Sequence, residues 1–358
     1  MPTRIRTAPV FLAALLAALF ALSGCSSSGT LGDLRHPPAS NGDDIVGSIL
    51  DPARSSKGGV TGTAHDGGIS QQSLPSFDNA PLPATVTANQ IPGPYTSDDG
   101  AVTGKIFFYK KGQEDSGDYF VCSGTVVKSA NRSLVWTAGH CVHDGKDGTW
   151  HSEMVFVPGF SNTSGDTNID PADLSAYAPL GVFPATHAWT STEWVKTGDD
   201  HGGDLAHDYG VLEVGRNDRG QTLDDAIEQA GAGKAVPIWF NAAATAATSV
   251  AMSIKGYPAA PPFDGMSQFA CAVGSVQLLT VSELGPTAKE YRAGCDLTGG
   301  ASGGGWFARA PGQPAGEVSL VTNTSVGSAH TQRSWLAGPY LDGEAQALFQ
   351  KADSSPAP

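Results

Sequence analysis

Three short stretches of this sequence hold residue types that could do chemistry. Cys295 to Trp306 reads CDLTGGASGGGW and sets Ser302 among five glycines. Such a loop could be a linker, a phosphate cradle or the seat of a reactive serine. Cys122 to Cys141 reads CSGTVVKSANRSLVWTAGHC, with His140 directly before the closing cysteine. A disulfide across that stretch would close a loop of about 20 residues, worth roughly 3 kcal/mol in the chain-entropy model. It would also fix the backbone beside His140, which suits a general base that must stay within reach of its nucleophile. His207 to Val214 reads HDYGVLEV and leads Asp208 into a strand whose Val211 and Val214 can be buried.

The glycine loop has three competing readings. A phosphate-binding loop needs a lysine after its glycines, and none follows. A linker explains the glycines but not the flanking cysteine and strands. Gly300 to Gly304 also satisfies G-x-S-x-G, the nucleophile elbow of α/β-hydrolases, and Glu317 and His330 follow in the right order. Only 330 − 302 = 28 residues separate Ser302 from His330, too few for the strands and helices that fold places there. The upstream chain also lacks its β-α alternation.

The elements that must position these residues are short strands. VTGKIFFYKKG, FVCSGTVV, SLVWTAGH, HDYGVLEV, AVPIWF, SVAMSIKGY, SVQLLTV and VSLVTNTS are strand-like, with Gly, Asn and Asp in the turns between them. One helix is expected over Asp342 to Ala352, capped by Asp342, with Ala345, Leu348 and Phe349 on one face. Many short strands and a late helix predict an all-β barrel or sandwich.

Composition and the N-terminus bound the setting. The chain has 358 residues and a formal charge of −14, spread along its length, so no nucleic-acid partner is expected. Arg4 and Arg6 precede an apolar run from Val10 to Leu22, the length of a secretory signal core and too short to span a bilayer. LSGC, Leu22 to Cys25, follows directly and resembles the lipobox of bacterial lipoproteins, which implies lipidation of Cys25 and a membrane anchor. Residues 1–24 are thus expected to be a signal peptide, residues 25–100 a disordered tether rich in Gly, Ser and Pro, and residues 353–358 a disordered tail. Setting Cys25 aside, Cys122, Cys141, Cys271 and Cys295 remain of the five cysteines, enough for two disulfides with three possible connectivities. No C-x-x-C pair exists, so no metal site is expected.

CSG…TAGHC, the DYGVL run and GASGG together resemble the motifs of chymotrypsin-like serine peptidases. The resemblance covers roughly residues 101 to 350 and is nearest to the bacterial secreted branch that includes the glutamyl endopeptidases, through GKIFFY, FVPGF, GYP and C-D-x-x-G-G-x-S-G. It implies a two-barrel all-β fold over residues 101–352 with a C-terminal helix. It implies Ser302 as nucleophile, His140 as base, Asp208 as the acid that orients it, and the Gly300 and Ser302 amides as oxyanion donors. The order His, Asp, Ser is that of the family. It further implies the bridges Cys122–Cys141 and Cys271–Cys295, with Ser123 structural.

Some positions depart from the pattern. Animal relatives carry Asp before the serine, where it receives a freshly cut N-terminus; here the residue is Ala301, so no such activation is expected. IVGS at Ile45 to Ser48 follows two aspartates rather than a basic residue and is read as a decoy. Asp296, six residues before Ser302, is a candidate for the base of the primary specificity pocket or a turn cap. Thr322, Asn323 and Thr324 are candidates for its wall. His143, His151, His187, His201 and His207 are read as structural or solvent-facing, and Trp189 and Trp194 as packing or cleft residues. The expected protein is an extracytoplasmic, lipid-anchored monomer that takes peptide or protein substrates and uses no cofactor. The alternative is a surface protein with this fold that binds a partner and does no chemistry.

Overall fold

The computed structural model describes residues 31–35, 64–66, 80–95, 100–114, 119–161, 177–198, 204–231, 233–281, 288–328 and 334–358. The signal segment, Cys25, IVGS, His201 and His330 lie outside them.

The first half of the chain forms β1 (Leu31–Arg35), β2 (Ala64–Asp66), β3 (Asn89–Gln90), β4 (Thr103–Tyr109), β5 (Tyr119–Val127), β6 (Leu134–Thr137), β7 (Ser152–Pro158), β8 (Phe183–Ser191) and β9 (Gly210–Val214). Six of these close into a barrel in the order β8-β7-β4-β5-β6-β9, with β9 returning to β8. β1 adds antiparallel to β8, and β2 lies parallel to β5. Trp136, Val135, Val126, Phe156, Val211 and Leu212 are buried in one core cluster, with Val126, Val135 and Leu212 on one face of the wall and Trp136 and Val211 on the other. Closure leaves no exposed edge among the six strands, and the closing helix and second half cover part of the outer face.

The second half forms β10 (Met252–Gly256), β11 (Phe269–Val273), β12 (Gln277–Thr280), β13 (Lys289–Ala293), β14 (Gly305–Ala308), β15 (Ser319–Asn323), β16 (Val326–Ser328) and β17 (Trp335–Pro339). They make two antiparallel sheets, β15-β14-β10-β11-β3 and β12-β13-β17-β16. Trp306, Ile254, Tyr291 and the Cys271–Cys295 disulfide pack between them. Short helices α1 (Thr192–Thr197), α2 (Leu223–Gln229) and α3 (Ala244–Thr248) sit in the connections. The closing helix α4 (Gly343–Asp353) starts where expected: Asp342 Oδ1 accepts from the amides of Glu344 and Ala345 at 2.9 and 3.2 Å. Its Ala345 and Leu348 are buried against the first barrel, with Phe349 beside them.

The folded unit begins further upstream than the composition suggested. Residues 80–95 are part of it rather than tether. Val86 donates to Gly294 at 3.1 Å, β3 extends the sheet at β11, and Tyr95 is buried with its hydroxyl accepting from the Gln268 amide. Gly294 answers this approach, since a Cβ there would lie 2.0 Å from the Ala84 carbonyl oxygen. Val86, Ala88, Ile91 and Tyr95 pack on the core, but they are too widely spaced among Pro, Thr, Asn and Gly to form a strand or helix period. The C-terminal tail is also engaged: Asp353 ends α4, and Arg216 Nε donates to the Pro358 carbonyl at 3.1 Å.

One other expectation changes. AVPIWF is not a regular strand; Pro237 cannot donate, and the segment holds on through bridges at Val236 and Ile238. Between His140 and Asp208 the described chain holds β7, β8 and α1.

Candidate active site

Antiparallel pairing brings His140 and Asp208 together. β6 and β9 pair with Thr137 opposite Gly210, so the chain three residues after Thr137 and two before Gly210 leaves the same end of the barrel. There the Asp208 carboxylate takes two hydrogen bonds from His140. The His140 amide donates to Oδ1 at 2.8 Å, and Nδ1 lies 2.8 Å from Oδ2. Because the carboxylate can only accept, Nδ1 carries the proton in this pair and Nε2 is left as the basic nitrogen. His140 Nε2 is buried and makes no hydrogen bond among the described residues.

Asp208 is fully buried and well supplied with donors. Ser325 Oγ donates to Oδ2 at 2.5 Å, and Asn323 Nδ2 donates to the Asp208 carbonyl at 3.0 Å. Asn323 Oδ1 in turn accepts from Trp136 Nε1 at 3.0 Å. A buried carboxylate needs such donors to remain charged at little cost. Trp194 and His151 back His140. Trp194 lies 6.2 Å from the imidazole, centre to centre, and His151 Nε2 donates to the His140 carbonyl at 2.9 Å. Burial pushes the His151 imidazole down to about 4, so it is a neutral prop at physiological pH.

The Ser302 loop is held against the same corner. The Cys122–Cys141 bridge joins β5 to the His140 turn, and the next residue, Ser123, donates its amide to the Ser302 carbonyl at 2.7 Å. Gly303 is close-packed too: a Cβ there would lie 2.1 Å from Thr137 Oγ1 and 3.0 Å from the Ala138 nitrogen. Gly303 donates to Thr324 and Gly304 to Ala301, which makes a tight turn around Ser302. Among the described residues no hydrogen bond joins Ser302 to His140 Nε2. Catalytic contacts are often loose without substrate and tighten on binding.

Gly300 needs to be glycine for two reasons. Its φ is +93°, and a Cβ would lie 2.7 Å from the Tyr257 carbonyl oxygen. Its carbonyl is taken by Ser123 Oγ at 2.9 Å. Among the described residues, the amides of Gly300 and Ser302 donate to no acceptor. Two unengaged donors beside a serine are what an oxyanion hole requires.

The side chains of the candidate pocket residues are each engaged by another part of the chain. Asp296 Oδ1 accepts from the Ala88 amide at 2.7 Å, so it anchors the N-terminal segment. Thr322 Oγ1 donates to the Pro339 carbonyl at 2.6 Å, Asn323 serves Asp208, and Thr324 Oγ1 accepts from Trp306 Nε1 at 2.9 Å. All three side chains are buried. Ser325 ends the VTNTS run read as pocket wall, but its bond to Asp208 was not expected. Its signal is TNTS, four polar residues at the end of a buried strand, tolerated there only if each finds a partner.

Both expected disulfides are formed, Cys122–Cys141 and Cys271–Cys295. Cys122, Cys141 and His140 cluster closely enough to suggest a metal site, but the disulfide leaves no thiolate to ligate one.

No protein-family model matches the chain, and no curated protein does. Solved structures do. A thermostable serine protease, AL20, from an extremophilic microorganism is 29% identical, with a TM-score of 0.54, over 72% of this chain and 99% of its own. The protease Anisep from Arthrobacter nicotinovorans is 27% identical, with a TM-score of 0.55, over 75% of this chain and 100% of its own. The fold is chymotrypsin-like. The barrel closed by β8 and β9 is its first half, and the two sheets that carry Ser302 are its second.

Proposed function

We propose that this chain is a serine endopeptidase that cuts peptide bonds through Ser302, His140 and Asp208. Ser302 Oγ attacks the scissile carbonyl while His140 Nε2 takes its proton. The Gly300 and Ser302 amides hold the developing oxyanion. His140 then gives the proton to the leaving amine, and water hydrolyses the acyl-enzyme by the same route in reverse. Asp208 keeps His140 in the tautomer with a basic Nε2 and stabilises the imidazolium. The observation that carries this reading is the doubly hydrogen-bonded His140–Asp208 pair, with Nε2 unpartnered beside the Ser302 turn. The two protease neighbours support the same reaction class.

We also propose an extracytoplasmic setting, with a lipid anchor at Cys25, peptide or protein substrates and a monomeric enzyme. The LSGC motif and two disulfides are its support. Blocking lipidation with Cys25→Ser should change the mature mass by more than one oxygen-for-sulfur exchange; an unmodified secreted wild type would remove the anchor.

A fluorophosphonate probe tests the chemistry. Labelling of the wild type that Ser302→Ala abolishes is the expected result. A folded wild type that takes no label would leave a binding module on a peptidase fold.

A further inference from the structure

One buried cation lies outside the triad yet connects to its loop. Lys105 sits on β4 and is only 4% exposed. Its Nζ lies 5.0 Å from the ring centres of both Phe107 and Phe160, and donates to the Gly265 carbonyl at 2.7 Å. Burying an amine among aromatic rings costs free energy that a methionine of similar length would not. A lysine there is explained best by what its donor holds.

Gly265 closes the turn that follows β10. Its amide donates to Pro258 at 2.9 Å. The same turn reaches the Ser302 loop: Ala259 and Ala260 donate to the Gly299 carbonyl at 2.6 and 3.2 Å, and Thr298 Oγ1 donates to Ala260 at 2.7 Å. Gly300 lies directly against it, where a Cβ would come within 2.8 Å of the Ala259 nitrogen. On the far side, Tyr257 donates to Ser123 Oγ, and Ser123 Oγ donates to Gly300. The turn therefore fixes the peptide that carries the Gly300 amide.

We infer that Lys105 is a positioning residue for the oxyanion hole: its Nζ clamps the 257–265 turn, and the turn sets the orientation of the Gly299–Gly300 peptide. The inference rests on the peptidase reading. It also offers an internal brace for a loop that has Ala301 where animal relatives use an aspartate and a new N-terminus. Burial lowers the Lys105 amine to about 7, opposed by the nearby Asp264 carboxylate. A neutral amine still donates, so the clamp does not depend on the charge.

Lys105→Met keeps the length and removes the donor. Misplacing an oxyanion donor should lower kcat for peptide amides about 10- to 100-fold while KM stays within about twofold. Affinity for a peptide trifluoromethyl ketone, whose adduct needs the oxyanion hole, should fall with kcat. A residue that merely fills space would lower thermal stability without this split. Hydrogen exchange of residues 296–304 reads the clamp apart from catalysis and should speed up in the variant. If Lys105→Met does not fold, Gly265→Ala replaces it. Its Cβ would press within 3.2 Å of Lys105 Nζ at a φ of +76° and should cause the same changes. A folded variant with unchanged kcat and unchanged exchange overturns the clamp. A wild type that exchanges as described but hydrolyses nothing overturns the peptidase reading instead.

Discussion

Asp208 holds His140 at both ends of its carboxylate: Oδ1 takes the backbone amide and Oδ2 faces Nδ1, each at 2.8 Å. One contact fixes where the residue is and the other fixes how its ring is turned. Asp208→Asn offers an amide in place of one acceptor, which favours the wrong imidazole tautomer. We expect kcat to fall about 10,000-fold with the fold retained. Steady-state kinetics beside a circular dichroism spectrum would check this.

Asn323 separates support of the site from chemistry. Asn323→Ala strips a donor from the Asp208 carbonyl and leaves Trp136 Nε1 buried without a partner. The expected cost is about 1–3 kcal/mol of stability, seen as a lower melting temperature. The loss of kcat should be far smaller than for Asp208→Asn. An equal loss would mean that Asn323 acts directly in the reaction.

Gly300→Ala tests the oxyanion peptide itself. At φ +93°, with Tyr257 and Ala259 in the way, an alanine must move the loop. We expect kcat to fall about 100-fold or more. Labelling by the fluorophosphonate should slow in step, because that reaction also builds charge on the same oxygen.

Glu290 predicts a pH dependence of stability. It is fully buried on β13, and neither carboxyl oxygen has a partner among the described residues. Burial pushes its carboxyl up to about 8, helped by the charges of Asp208 and Asp204. Between its ordinary value near 4.5 and about 8, the unfolded chain releases this proton while the native state keeps it. The unfolded state then binds fewer protons, so stability falls as pH rises through that window and levels off above it. The slope is up to about 1.4 kcal/mol per pH unit. Glu290→Gln cannot titrate, so its melting temperature should gain on the wild type from pH 5 to pH 8. A constant difference across that range would sink the assignment.

The N-terminal segment gives a simpler test. A chain beginning at residue 96 loses the amide that Asp296 receives and the β3 edge strand. It should melt well below a chain beginning at residue 80. Equal melting would return residues 80–95 to the tether.

Local sequence determined a good part of this protein. TAGHC, DYGVL and GASGG single out His140, Asp208 and Ser302 as candidates, because each stands at a turn or strand start with a recognisable local pattern. The cap at Asp342 and the strands flanking the first disulfide were legible for the same cause. What only the tertiary structure decided is where side chains point when the chain is packed on both faces. Asp296 and Thr322 to Thr324 stand at offsets that suggest a pocket, yet each spends its polar atoms on a partner far away in sequence. β13 reads as KEYRA, too charged for a buried strand, and is buried because β12 and β17 cover it. Residues 80–95 read as linker, yet backbone hydrogen bonds and a few scattered apolar side chains hold them to partners far along the chain. Spacing along the chain encodes local geometry; the partners of a buried polar group are set by folding alone.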